Sequence, residues 1–319
     1  MTPTPRFRGA FTALVTPFTA DGAFDEAAYR RLLDWQVREG IDGLVPVGTT
    51  GEAPTLTADE RDRCIAIAVE AAAAGGRAGD RIPVIAGTGS NDTRASIDAT
   101  RRAAALGADA ALVVAPYYNR PDQRMLDAHF RAIADEGGLP IVVYNVPGRT
   151  GTNVEADTFL RLAEHPRVIA VKEASSNLEQ IAVICRDRPR DVAVLSGDDA
   201  ATLAVLAMGG DGIISVASNE IPGEMSALVA AALADDWRLA RTIHERWLPL
   251  MRANFQGAPN PVPAKAALVA MGVLERDDLR APLLPLDDAP RARLVSLLGE
   301  LGLLSRGGAD ARTVVGAVA

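Results

Sequence analysis

The chain is short of the residues that build several familiar kinds of site. Two cysteines in 319 residues, Cys64 and Cys185, make neither a disulfide framework nor a paired metal motif. Three scattered histidines, His129, His165 and His244, offer no ligand cluster, so no metal is expected. A basic stretch is also missing. The 33 basic residues stand against 41 acidic ones, a net charge of −8, which argues against nucleic acid or an anionic membrane surface as partner. There is no run of about 18 apolar residues, and the opening Met1-Thr-Pro-Thr-Pro-Arg carries no apolar signal segment, so a soluble cytoplasmic protein is expected. No Walker-type phosphate loop occurs, and Gly87-Thr-Gly89-Ser-Asn-Asp92 lacks the third glycine of a dinucleotide fingerprint. Those glycines read instead as a tight strand-to-helix turn, with Ser90, Asn91 or Asp92 capping the helix.

Lysine is the scarcest charged residue. Of the 33 basic residues only Lys172 and Lys265 are lysine, and the other 31 are arginine. A coding bias toward arginine explains the imbalance most simply. A lysine that remains is then a candidate for a place where a primary amine is needed. A buried lysine can lose its proton and act as a nucleophile, whereas arginine stays charged.

What the chain does have is a regular alternation. Eight short runs rich in Val and Ile, Ala10–Thr16, Gly43–Val47, Pro83–Ala86, Ala110–Ala115, Pro140–Tyr144, Val168–Lys172, Val192–Ser196 and Asp211–Val216, are bounded by Gly, Pro, Asn or Asp. Strands buried on both faces read this way. Helical patterns lie between them, and the runs start 33, 40, 27, 30, 28, 24 and 19 residues apart, the cadence of βα units. The expectation is an α/β fold, a (β/α)8 TIM barrel over residues 1–224. A C-terminal helical appendage follows over 225–304, with a loose tail at 305–319. A doubly wound open sheet is the alternative, and it lacks its phosphate-binding turn.

In a barrel, catalytic groups gather where the strands end. Those ends hold Gly48-Thr49-Thr50-Gly51-Glu52, Pro116-Tyr117-Tyr118-Asn119, Tyr144 through Gly151, Lys172-Glu173 and Ser196-Gly197-Asp198-Asp199, and so three of the four tyrosines and one of the two lysines. Side chains alternate along a strand, so Glu173 points away from Lys172. An amine without a close counter-ion has a lowered pKa and can form an imine with a ketone or aldehyde. Thr49 and Thr50 offer N–H groups and hydroxyls to a carboxylate, Tyr144 offers a phenol for proton transfer, and Arg149 can fork onto a second carboxylate. Each also has a plainer reading: a snorkelling lysine, a capped turn, a buried phenol, a solvated loop arginine. Asp198 and Asp199 read as the cap and first turn of a helix, and Lys265 as a surface or helix-turn residue.

Together these motifs resemble the dihydrodipicolinate synthase (4-hydroxy-tetrahydrodipicolinate synthase) family of the pyruvate-dependent class I aldolase superfamily. The matching pieces are Gly48-Thr49-Thr50-Gly51-Glu52, Tyr117-Tyr118-Asn119-Arg120-Pro121, Tyr144-Asn-Val-Pro-Gly-Arg149-Thr-Gly151, Val171-Lys172-Glu173-Ala174, Ser196-Gly197-Asp198-Asp199 and Asn260-Pro-Val-Pro263, within about Gly9 to Leu304. The resemblance implies a lyase of lysine and diaminopimelate biosynthesis acting on pyruvate and L-aspartate 4-semialdehyde. It implies an imine on Lys172 and a proton relay of Tyr144, Thr49 and Tyr118, the last reaching in from a neighbouring subunit. Thr50 would hold the pyruvate carboxylate and Arg149 that of the semialdehyde, with Gly197 and the Ile214 carbonyl lining the pocket. No metal or organic cofactor is implied, and a homotetramer built from dimers is.

The alternatives are a sister aldolase acting on a sugar acid, such as N-acetylneuraminate or a 2-keto-3-deoxy acid, a catalytically silent barrel that binds small carboxylates, and a nicotinamide-dependent oxidoreductase. Arg149 separates the synthase from the neuraminate lyases. The family's lysine-sensitive members use a histidine and a glutamate in an interface pocket. Ala58 and Ala95 stand at the corresponding places here, while Asn91 and Tyr117 match, so weak or absent inhibition by lysine is implied.

Overall fold

A computed structural model describes residues 7–75 and 80–304; the tail expected at 305–319 lies outside them. Eight parallel strands, β1 (Gly9–Ala13), β2 (Gly43–Val45), β3 (Ile85–Gly87), β4 (Ala110–Val114), β5 (Ile141–Asn145), β6 (Val168–Glu173), β7 (Ala193–Ser196) and β8 (Gly212–Ser215), form one sheet. Its order is β2-β1-β8-β7-β6-β5-β4-β3, and the parallel bridge Leu44↔Val84 joins its two ends. The expected TIM barrel is the fold found.

The helices are α1 (Glu26–Arg38), α2 (Ala58–Ala73), α3 (Thr93–Ala105), α4 (Gln123–Glu136), α5 (Pro147–Thr150), α6 (Ala156–Ala163), α7 (Leu178–Asp187), α8 (Thr202–Ala207), α9 (Pro222–Leu233), α10 (Trp237–Ala253), α11 (Val262–Ala270) and α12 (Asp288–Glu300). Several starts are fixed by side chains that satisfy free N–H groups. Thr57 and Glu60 close a capping box at α2, and of the three candidates before α3 it is Asp92 that caps.

Strand alternation sorts the core into two layers. Phe11, Val45, Ile85, Leu112, Val142, Ala170, Leu195 and Ile214 fill the barrel interior. Val84, Val113, Val143, Val171, Val194 and Ile213 face outward under the helices. This two-sided burial is why the strands read as apolar runs without a polar face. Helix α9 follows β8 and packs on both β8 and β1, so the division at 224/225 falls inside the barrel's own eighth helix. Beyond it, α10 packs on α9, α8 and α12, and α11 on α12.

Candidate active site

Tyr144 and Lys172 are register partners on β5 and β6. Their chain neighbours two residues back, Val142 and Ala170, lie in the interior cluster, so both side chains point into the barrel at its C-terminal end. The Lys172 Nζ lies 4.4 Å from the centroid of the Tyr144 ring. Burial removes hydration from the ammonium and brings the amine from 10.5 down to about 7. Asp199 opposes that fall and Arg149 adds to it. The Tyr144 phenol is pushed up by its own burial, partly offset by the Arg149 charge and by a hydrogen bond with Thr49.

These groups open on a cavity of about 150 Å³ whose walls include Thr49, Thr50, Arg149, Gly197, Phe255 and Asn260. That is well below the roughly 300–1,000 Å³ of a drug-sized ligand site, and suits a small acid. Gly197 is required by close approach. A Cβ there would stand 2.8 Å from the Ala174 Cβ and 3.1 Å from both Cγ and Cε of Lys172. Thr49 and Thr50 sit on a turn closed by Gly51 N–H to the Gly48 carbonyl (3.1 Å) and Glu52 N–H to the Thr49 carbonyl (3.1 Å). Their own N–H groups donate to no acceptor among the described residues. Arg149, on the single turn α5, has no hydrogen bond or ion pair from its guanidinium among the described residues. An anion is offered two unspent sets of donors.

Glu173 points away from Lys172, as expected. It is buried and receives Asn145 Nδ2 (3.1 Å), Gln180 Nε2 (3.1 Å) and the Ser175 N–H (2.7 Å). This ties the ends of β5 and β6 together behind Lys172 and Tyr144.

Residues 6–301 match the family model of the dihydrodipicolinate synthetase family. The chain belongs to that family. A 4-hydroxy-tetrahydrodipicolinate synthase of Koribacter versatilis is 49% identical over 300 residues, spanning 94% of this chain and 97% of its own. The crystal structure of dihydrodipicolinate synthase from Aquifex aeolicus, 40% identical, covers 94% of this chain and all (100%) of its own with a TM-score of 0.89. The chloride-inhibited dihydrodipicolinate synthase from Acinetobacter baumannii, solved in complex with pyruvate, is 39% identical, covers 93% of this chain and 99% of its own, and has a TM-score of 0.88. The chain is therefore an enzyme, a lyase of the condensing class I aldolase type, and these relatives favour the synthase over a sugar-acid lyase.

Of the residues singled out for the dihydrodipicolinate synthetase family, Lys172, Tyr144, Thr49, Thr50, Arg149 and Gly197 converge on the one cavity. Ile214 is buried inside the barrel on β8 but is not among the lining side chains. Tyr118 stands outside, 92% exposed with a φ of 75°.

Two sequence expectations are corrected. Asp199 is no helix residue: α8 begins only at Thr202. Its buried carboxylate accepts from the Ser215 hydroxyl and from the N–H groups of Val216 (3.1 Å) and Ala217 (3.2 Å), tying the end of β7 to that of β8. Asp198 makes the turn before α8, accepting from the Ala200 N–H at 3.0 Å. Lys265 is not at the surface but fully buried, because a carboxylate 213 residues away, Glu52, receives it at 2.6 Å. Phe255 was not anticipated in the cavity wall, since nothing in its local sequence sets it apart from a helix-end aromatic.

Proposed function

We propose that the protein condenses pyruvate with L-aspartate 4-semialdehyde to 4-hydroxy-tetrahydrodipicolinate, a step toward diaminopimelate and lysine, through an imine on Lys172. The observation that carries this reading is the buried, deprotonatable amine of Lys172 packed against Tyr144 in a cavity with two free sets of anion-binding donors. The neutral Nζ adds to the keto carbon of pyruvate, and the carbinolamine loses water to leave an iminium. Loss of a methyl proton gives the enamine, whose carbon forms a bond to the aldehyde carbon of the semialdehyde. The amine of that substrate then attacks the iminium carbon, closes the ring and releases Lys172. One water is expelled overall. The iminium is itself the electron sink, so the scheme calls for no metal or organic cofactor.

Thr50 and the turn N–H groups hold the pyruvate carboxylate, with the Ile214 carbonyl and Gly197 beside it, and Arg149 takes the carboxylate of the semialdehyde. Tyr144 and Thr49 pass protons to and from the carbinolamine oxygen, and Tyr118 of a second copy connects them to solvent. The working form is an oligomer of at least two copies, a homotetramer of dimers by likeness to the family, in the cytoplasm.

The test is turnover of pyruvate with the semialdehyde, coupled to the downstream reductase and followed as loss of NADPH, alongside borohydride trapping with pyruvate alone. Wild type turns over and carries a reduced three-carbon adduct on Lys172. Lys172→Arg keeps a long basic side chain but cannot form the imine, and loses about three orders of magnitude or more in kcat, with a thermal melt to check that the variant is folded. Substantial activity in that variant overturns the mechanism.

A further inference from the structure

Lys265 and Glu52 form a buried ion pair with both side chains 1% exposed and Nζ 2.6 Å from Oε1. The pair is fully ligated. Lys265 Nζ also donates to the Asp278 carbonyl at 2.8 Å and lies 4.3 Å from the Phe18 ring centroid. The other oxygen, Glu52 Oε2, accepts the Arg280 N–H at 3.0 Å. A buried pair of this kind is weak evidence for stability, because desolvation offsets most of the attraction. Its position says more.

Glu52 immediately follows the Thr49-Thr50-Gly51 turn and holds a φ of 54°, a left-handed conformation that is strained for a residue other than glycine. Its N–H closes that turn on the Thr49 carbonyl. The loop leading into α11 meets the same turn a second time, where Asn260 Nδ2 donates to Thr50 Oγ1 at 3.0 Å. With that lone pair engaged, the Thr50 hydroxyl keeps its own proton for an acceptor in the cavity.

We infer that Glu52 and Lys265 are positioning residues: their buried pair sets the strained turn so that Thr49 and Thr50 present their donors to the carboxylate of pyruvate. This rests on the reaction proposed above. It assigns the second of the chain's two lysines a part in the same site and makes α11, beyond the barrel, necessary to it. An arginine would not substitute, because the buried spot offers two acceptors over a ring face and cannot satisfy a five-donor fork.

The test uses Glu52→Gln, which keeps shape and an accepting oxygen, and the double variant Glu52→Gln with Lys265→Met, which leaves no charge buried. Arg280→Met is the control. It cuts the guanidinium contacts to Glu60, Gly22 and Thr55 in the same region but keeps the backbone donor to Glu52. KM for pyruvate, KM for the semialdehyde, the borohydride trapping rate with pyruvate and the melting temperature are read for each. The expected result is about a tenfold or greater rise in pyruvate KM and an equal fall in trapping rate in both Glu52 variants, with the semialdehyde KM within about twofold of wild type. Arg280→Met lowers the melting temperature and leaves pyruvate KM alone. Unchanged pyruvate KM in a folded Glu52→Gln or double variant, or activity that only tracks the folded fraction, overturns the inference. An adduct-free wild type overturns the reaction itself, and is a separate result.

Discussion

At the scale of the residue, the surroundings of Lys172 are a poor place for a charge. Desolvation at the barrel mouth is the largest influence and lowers the amine to about 7. In the proposed reaction the neutral form is the nucleophile; its fraction falls tenfold per pH unit below about 7 and is nearly full above it. The rate of borohydride trapping by pyruvate should follow that curve, rising to a plateau with a midpoint near 7. A midpoint near the ordinary 10.5 would mean the amine is not perturbed. The same shift acts on stability: between about 7 and 10.5 the unfolded chain binds a proton that the folded site does not, so for this group folding becomes more favourable as pH rises through that window. Lys172 was legible in the sequence because scarcity and a strand end pointed to one position. Lys265 was equally scarce and was misread, since its partner Glu52 is remote in sequence and no spacing rule connects them.

At the scale of the element, the site depends on strands held at fixed register and on how closely they approach. Gly197, just after β7 and with its own N–H bonded to the Glu173 carbonyl at 2.8 Å, leaves room for the Lys172 stem to run past it inside the barrel. Gly197→Ala should push the amine off its line, costing about 100-fold in kcat/KM for pyruvate, while the added methyl destabilises the protein by about 1–3 kcal/mol. Steady-state kinetics with a denaturant melt separate the two. An alanine variant of near-wild-type kcat/KM would show that the stem is freer than the packing indicates. The strands were readable from composition because burial on both faces keeps them largely apolar up to their C-terminal ends. Helix α5 was not, since one turn ended by Gly151 at a φ of 73° is too short to show a period. Helix α9 is buried on most of its surface, so it has no polar stripe to mark it as the last helix of the barrel.

At the scale of the whole molecule, the question is what a second copy contributes. Ala58 at the start of α2 and Ala95 in α3 are exposed and carry neither imidazole nor carboxylate, so neither of these two side chains gives a lysine ammonium a counter-charge. Titration with lysine up to the millimolar range should leave the initial rate almost unchanged, and strong inhibition below a millimolar would refute this. Tyr118 raises the larger point. It holds a φ of 75° and displays its phenol to solvent, with no side-chain hydrogen bond or ring contact among the described residues. A backbone conformation costing roughly 1–3 kcal/mol for a tyrosine calls for a compensating contact, and a second copy can supply one.

If the phenol serves the neighbour's cavity, Tyr118→Phe alone should lower kcat about 100-fold, and Lys172→Arg alone should abolish it. Co-expressed, the two chains form mixed dimers in which one site has its own Lys172 and an intact Tyr118 from the other chain. The second site of each mixed dimer lacks both. Random pairing makes half the dimers mixed, with one working site of two, so activity should return to about one quarter of wild type. If Tyr118 acted within its own chain, mixing would only average two defective enzymes and no recovery would appear. The sequence placed Tyr118 among the strand ends but could not show which chain's site it serves. A single chain shows only that the phenol is not in its own cavity. Complementation between two defective chains decides the matter without a structure of the assembly.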